Sequence, residues 1–205
     1  MRSAVASQAI MVPPDSPHNY PGTLGNQPVA VNFHAGSHYV GLRLLEGYLP
    51  VEKIKLVHYG SPIHRFESML NGEVAAAVVM EPWIALGEKL GCKTVAEGHY
   101  LGAENASEDM DEETFAAINR AVENAVDLIN ADKRKYLHYL IDDIPPELGS
   151  LSPDDFRLSR LRYVEPQPYP AEEFEKTFRW MLGWGLISPD ARFEDLVDNR
   201  ISRVS

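Results

Sequence analysis

Two histidines, His34 and His38, stand four residues apart in the run Asn32-Phe33-His34-Ala35-Gly36-Ser37-His38-Tyr39, and a second polar group, Glu81-Pro82-Trp83, closes a later apolar run. Residues of these types can hold a small molecule. Free N–H groups at a helix start after Gly36 suit an anion, Asn32, Ser37 and His38 offer hydrogen bonds, and Phe33, Tyr39 and Trp83 could stack on a heteroaromatic ring or fill a core. His34 and His38 would need a third ligand, such as Glu81 or His64, to hold a metal. Ser37 beside His38 does not make a nucleophile and base, because neighbours in sequence seldom face each other and no acid is placed to orient the histidine. Glu81 fits a general base at a cleft mouth or a carboxylate that stabilises a helix start. Arg65 fits a partner for an acidic ligand, a solvated charge, or an ion pair with Glu67 or Glu46. No catalytic residue, metal or cofactor is assigned.

The elements that must position these residues read as three units of strand, turn and helix. Pro28 to Phe33 is a short β-branched run, and Tyr39, Val40, Leu42, Leu44, Leu45, Tyr48 and Leu49 recur at helical spacing after Ser37, the expected N-cap. Ile54 to Tyr59 is the second strand. Gly60-Ser61-Pro62 then supplies turn, cap and first helical residue, and the helix through Ile63, Phe66, Met69 and Leu70 stops at Asn71-Gly72. Val74 to Met80 is apolar throughout, as a strand buried on both faces should be, and a helix from Trp83 ends near Leu90-Gly91. Lys93 to Glu97 reads as an edge strand, and Gln8 to Val12 as a short strand without an obvious partner in the unit after it. Three strand ends thus carry the polar residues together, as an open α/β sheet builds a ligand cleft.

Beyond Gly98 the spacing signals packing. Phe115, Ile118, Val122, Val126 and Ile129 mark one face of a long helix. Asp132 to Ile144 reads as helical, Ser152-Pro153-Asp154-Asp155 as the start of a short helix, and Arg162-Tyr163-Val164 as a strand. Phe174, Phe178, Met181 and Leu182 stripe a later helix, and Phe193, Leu196, Val197 and Ile201 share one face of a last one. With 205 residues and 44% hydrophobic content the chain can bury a core, and its net charge of −11 is the wrong sign for a nucleic-acid partner. Cys92, the one cysteine, reads as a small buried residue, and a disulfide within the chain is excluded. The first residues are too polar for a secretory signal, so a cytoplasmic location is expected, or a periplasmic or cell-surface one if the N-terminus is truncated. No run is long and apolar enough to span a membrane.

The order Gln-Pro-Val-Ala-Val-Asn-Phe-His-Ala-Gly-Ser-His-Tyr at 27–39, followed by Asn-Gly-Glu-Val-Ala-Ala-Ala-Val-Val-Met-Glu-Pro-Trp at 71–83, resembles the second lobe of type 2 periplasmic solute-binding proteins. The nitrate, sulfonate, taurine and thiamine-pyrimidine-precursor groups are the nearest in pattern. The resemblance implies an α/β lobe with an open, mostly parallel sheet flanked by helices and a helical C-terminal extension. It implies Gln8 to Val12 as a hinge strand within residues 1–27, a ligand-binding lobe over 28–100, and a helical region over 101–205 packing on the lobe or on a partner. The implied function is binding of a small anionic or heterocyclic ligand in an interlobe cleft, as the substrate-binding component of an ABC transporter. The resemblance would put Asn32, His34, Ser37 and His38 in the cleft wall, Glu81 at the strand end facing the hinge and Trp83 near the ligand; with Gly36, Tyr39 and Arg65, read from their own chemistry, these make the expected ligand set. Most of the first lobe has no counterpart here, so a partner subunit or a second copy would supply it, with a transporter permease as a further partner. The alternative is a cytoplasmic enzyme on the same fold, a lyase or hydrolase of a small sulfur- or nitrogen-containing compound. Relatives of that kind rely on cysteines that this chain lacks.

Overall fold

Residues 2–107 and 109–204 are described by a computed structural model, and their contacts divide the chain into two compact units. The larger holds residues 6–100 and 133–161, and the smaller holds 1–5, 101–132 and 162–205.

The larger unit is a sheet covered on both faces. Its strands are β1 (Arg2–Val12, which enters at Ala6), β2 (Pro28–Val31), β3 (Lys55–His58), β4 (Ala76–Met80) and β5 (Lys93–Leu101, which leaves at Tyr100), in the order β3-β2-β4-β1-β5. β2 pairs in parallel with β3 and with β4, because helices cross between them: α1 (Gly36–Glu46) and α2 (Pro62–Leu70). β1 runs antiparallel to β4, with Gln8 opposite Met80 and Met11 opposite Ala77. The side-chain period of two then explains why these strands read as unbroken apolar runs. Ala9 and Met11, Ala30, and Ala77 and Val79 pack on one face with Phe66, Met69, Trp83, Ile84 and Leu86. Ile10 and Val12, Val29 and Val31, and Ala76 and Val78 pack on the other with Leu24, Leu45 and Leu49. Alternate residues of Ala9–Val12, Val29–Val31 and Ala76–Val79 serve opposite cores, so these runs are apolar throughout. Cys92 is buried in the first of these clusters, as expected.

Helix ends follow the sequence signals in part. Ser61 caps α2 by accepting from the His64 N–H at 3.2 Å, with Pro62 as the first helical residue. Ser61→Ala is expected to cost about 1 kcal/mol, read as a lower urea midpoint with an unchanged slope. The expected N-cap of α1 is corrected: Ala35 holds that position, without a side-chain bond, and Ser37 lies inside the first turn. The stretch after Asp132 is also corrected. It forms a 3₁₀ turn at Lys133–Tyr136 and a single helical turn, α5 (His138–Ile141), whose neighbours Leu137, Ile144, Leu151 and Phe156 join the core beside α3 (Trp83–Lys89). Four consecutive charged or aromatic residues, Lys133 to Tyr136, give no apolar stripe to sustain a longer helix.

The smaller unit has α4 (Glu112–Ala131), β6 (Arg162–Gln167), α6 (Ala171–Gly183), α7 (Phe193–Leu196) and α8 (Ile201–Val204). Asp111 caps α4 through the Thr114 N–H at 2.8 Å, and Phe115 and Val126 are its buried apolar residues. The start of β1 pairs antiparallel with β6, Ala4 opposite Tyr163, so this strand is six residues longer at its start than the run Gln8 to Val12 suggests. The last stretch forms two separate turns of helix, because Val197 leaves the helical conformation.

Candidate functional site

Parallel strands that rise together deliver their C-terminal ends to one edge of the sheet, and that edge carries the candidate residues. Beyond Val31 the chain turns through Asn32 and Phe33 into His34, whose φ of 63° is left-handed and rare for a residue with a side chain. Such strain persists where the surroundings fix it. The His34 N–H donates to His38 Nδ1 at 3.2 Å, the Asn32 N–H donates to Ser37 Oγ at 2.9 Å, and the Phe33 N–H donates to His58 Nδ1 at 3.1 Å. Three successive backbone donors are thereby satisfied by side chains. Both accepting histidines, His38 and His58, use Nδ1, so each neutral ring carries its proton on Nε2. Burial lowers the His38 pKa, with the charge of His34 adding to it, which keeps that ring neutral.

The first turn of α1 comes directly after. His38 and Tyr39 donate their N–H groups to Ala35 O, and helix geometry leaves those of Gly36 and Ser37 without an intrahelical acceptor. Gly36 leaves room for two side-chain ends: a Cβ there would collide with Tyr100 Oη and stand 2.9 Å from Gln8 Nε2, so both would have to shift. Phe33 lies 5.1 Å from His38 and 5.4 Å from His58, centroid to centroid, and Tyr39 is 5.4 Å from His38. Asn32, His34, Gly36, Ser37, His38 and Tyr39 therefore come together. His58, Gln8 and Tyr100 join them, and sequence reasoning missed all three. His58 ends β3, and Gln8 lies within β1 opposite Met80 at the end of β4, with no local pattern to mark either. Tyr100 falls beyond the expected end of β5.

The other three candidates go elsewhere. Trp83 is 6% exposed and packs in the core, its ring 5.5 Å from Phe66. Arg65 is buried, which corrects its expected solvation or pairing with Glu67 or Glu46. It donates to Val78 O at 2.8 Å, Tyr59 O at 3.2 Å and Gly60 O at 3.3 Å, tying α2 to the ends of β3 and β4, and burial lowers its pKa to about 10. Glu81 accepts from the Ala85 N–H at 2.9 Å through Oε2, the helix-start role, while its Oε1 lies 3.5 Å from Arg160 Nη1, close enough for an ion pair but without hydrogen-bond geometry. Burial raises the Glu81 pKa against the lowering effects of that helix N–H and of Arg160.

Arg160 is the centre of a second polar cluster. It makes paired bonds of 2.9–3.0 Å to both Glu88 and Glu97, and its carbonyl accepts from Ser7 Oγ at 2.9 Å. Ser7 Oγ is also 2.8 Å from His99 Nδ1, the spacing of a nucleophile and base. Because the hydroxyl proton points to the Arg160 carbonyl, the serine can only accept from the histidine, which is the wrong polarity for activation. Among the described residues no group of three or more His, Cys, Asp or Glu side chains could hold a metal ion, and no helix is long and apolar enough to cross a membrane.

No family model matches the chain, and no curated protein matches it. Solved structures do. The alkanesulfonate-binding protein SsuA from Xanthomonas axonopodis pv. citri, bound to MOPS, superposes with a TM-score of 0.72 at 17% identity over 91% of this chain and 68% of its own. The periplasmic aliphatic sulphonate binding protein SsuA from Escherichia coli gives 0.69 at 16% identity over 96% and 68%. The desulfurization enzyme DSZB gives 0.56 at 15% identity over 100% and 78%. Likeness at these identities speaks to architecture: the chain has the mixed α/β fold seen in these structures, with a mostly parallel sheet flanked by helices.

Proposed function

We propose that the chain is a solute-binding protein that holds a small organic anion, a sulfonate in the first instance, at the N-terminus of α1. The observation that carries this reading is the turn from Asn32 to Tyr39. Its side chains satisfy the preceding backbone donors, and the Gly36 and Ser37 N–H groups remain for an oxyanion at the positive end of the helix. Neutral His38 adds an Nε2–H donor, and exposed Phe33 offers an apolar wall for the organic part. Two sulfonate-binding proteins on the same fold support the choice of anion. The Escherichia coli neighbour is periplasmic, and we place this chain in that compartment rather than in the cytoplasm. The chain spans 68% of the length of each of these neighbours. A partner subunit or second copy on the open side of the site, and a transporter permease receiving the ligand, belong to the same reading.

Calorimetric titration with short alkanesulfonates tests it. Ser37→Ala and His38→Ala should each weaken binding about tenfold: the first releases the Asn32 N–H and with it the turn that aims the helix N–H groups at the anion, and the second removes the Nε2–H donor. Ser37 is 2% exposed and takes the Asn32 N–H, so Ser37→Ala should also cost about 1 kcal/mol of stability. Unchanged affinity in both variants would refute the site. The enzymatic alternative draws on the shared fold of the desulfurization enzyme and predicts breakdown of the added compound during the titration. Native mass spectrometry of the same samples reads bound ligand and stoichiometry, and a strictly monomeric chain that still binds would remove the need for a completing partner.

A further inference from the structure

We propose that His38 is a proton-operated latch on the turn that forms the anion seat: with Nδ1 free of a proton it fixes the His34 N–H, and when that nitrogen gains a proton the turn opens and the anion is released. The inference rests on α1 being the seat of the anion and adds the regulation of that seat. A backbone N–H can only donate, so the 3.2 Å bond from His34 to His38 Nδ1 requires an acceptor there. That bond closes a turn in which His34 stands at a φ of 63°, a conformation that a residue with a side chain keeps only where its surroundings fix it. His38 is 8% exposed, so water does not readily replace it as the acceptor.

Protonation sets two N–H groups against each other. A hydrogen on Nδ1 would point at the His34 N–H across 3.2 Å, so the ring must turn away, which strands that N–H and carries off the Nε2–H that serves the anion. This reverses the usual behaviour of a histidine beside an anion, in which acid adds a positive charge and tightens binding. The surroundings supply no counter-charge among the described residues. β2, β4 and the 3₁₀ turn Pro21–Leu24, which pack against α1, carry no titratable side chain. β5 meets α1 at Gly98 and Tyr100, while its Lys93 donates to Ser16 O, its Glu97 is bound to Arg160 and its His99 to Ser7. β1 brings the uncharged carboxamide of Gln8 to Gly36. From β3, His58 accepts the Phe33 N–H on the exposed side of the turn, and Lys55 lies at the far end of the strand. On α1 itself, Tyr39 stacks beside the ring, and Arg43 and Glu46, 3.5 Å from each other, lie further along. His34, its ring 5.8 Å from that of His38, is the charge that acts on it, and its sign is the same. Burial, with that charge, lowers the His38 pKa from its ordinary 6.5, so the latch is closed at and above 6.5 and opens as pH falls through the lower folded value.

Nitrogen NMR of the full chain and calorimetric titration with ethanesulfonate, both from about pH 8 to about pH 5, test the latch. A sulfonate stays ionised throughout, so any change belongs to the protein. Above 6.5 the His38 ring should carry its proton on Nε2 and the His34 amide should resist solvent exchange. As the ring gains its second proton that resistance should vanish, and affinity should fall about tenfold per pH unit, the slope of one proton taken up on release. His38→Asn keeps an acceptor near the place of Nδ1 and has no proton to gain, so its affinity, weaker for want of the Nε2–H, should be level across the range. Affinity that rises or stays level in acid in the parent, a His34 amide that keeps its protection once the ring is protonated, or a pH dependence that survives in His38→Asn would overturn the latch. If ethanesulfonate binds at no pH, the sulfonate reading falls, and the joint behaviour of the His38 ring and the His34 amide in the parent still decides the latch.

Discussion

Replacing Arg160 by alanine is expected to lower stability by about 3–5 kcal/mol, because removal of one partner from a buried ion cluster strands the others. The Arg160 side chain is 3% exposed, and Glu81, Glu88 and Glu97 around it are 5%, 22% and 25% exposed. Burial alone would lower the arginine pKa, yet the bonds and charges of Glu88 and Glu97 raise it, so the guanidinium is held firmly in its charged form. Lysine should not restore the loss, since a point charge cannot make two paired sets of bonds at once. The pH dependence has a definite sign. Burial pushes Glu88 up, but its bonds to Arg160 and the charges of Arg160 and Arg157 bring it below its ordinary 4.5. Its stabilising contribution is therefore present above 4.5 and is lost as pH falls through the depressed folded value. Glu81, raised by burial, acts oppositely: its ionised form costs stability, and the cost is relieved as pH falls through its raised value. In Arg160→Ala the carboxylates lose their counter-charge, so the deficit should be largest near neutral pH and shrink as they protonate. Urea denaturation across this range measures it. A deficit below about 1 kcal/mol, or one independent of pH, would show that the cluster is not the anchor of the 133–161 segment.

That segment also shows where sequence reasoning stops. Strands β2, β3 and β4 and the helices after them were legible because each unit carries local signals: a β-branched run, a Gly or Ser-Pro turn, and an apolar stripe of period 3.6. The covering of both sheet faces was legible in the unbroken apolar run Val74 to Met80, of which Ala76–Met80 forms β4. Arg160 was not, because its partners lie 63 to 79 positions away and nothing local distinguishes it from a solvated charge. The same holds for the site. Asn32, His34, Ser37 and His38 announce themselves in one turn, whereas Gln8 and Tyr100 reach Gly36 only through the pairing of strands distant in sequence. The N-cap of α1 was misplaced for a physical reason: the Ser37 hydroxyl serves the Asn32 N–H behind it and is not available to cap the turn ahead.

Replacing Trp83 by alanine is expected to cost about 3–5 kcal/mol of stability and to leave sulfonate affinity unchanged, which separates a core role from the ligand-stacking role that its place after Glu81-Pro82 suggests. The indole is the first residue of α3 and packs inward, in one cluster with Phe66, Met11, Ile84 and Leu86, all but itself wholly buried. Deleting it removes a large apolar surface and opens a cavity beside Phe66, whose ring loses a tilted aromatic partner at 5.5 Å. Phenylalanine should recover much of the loss, since shape and apolar area matter there more than the indole N–H. Affinity should hold because the anion seat depends on α1 and the Asn32 to Tyr39 turn, which pack on the sheet face opposite Trp83: Val29, Val31, Val78 and Leu45 line that side, and Ala30, Val79 and Phe66 line the other. Denaturation gives the stability difference, and titration well below the midpoint gives the affinity. A variant that keeps its stability but loses binding tenfold would return Trp83 to the ligand.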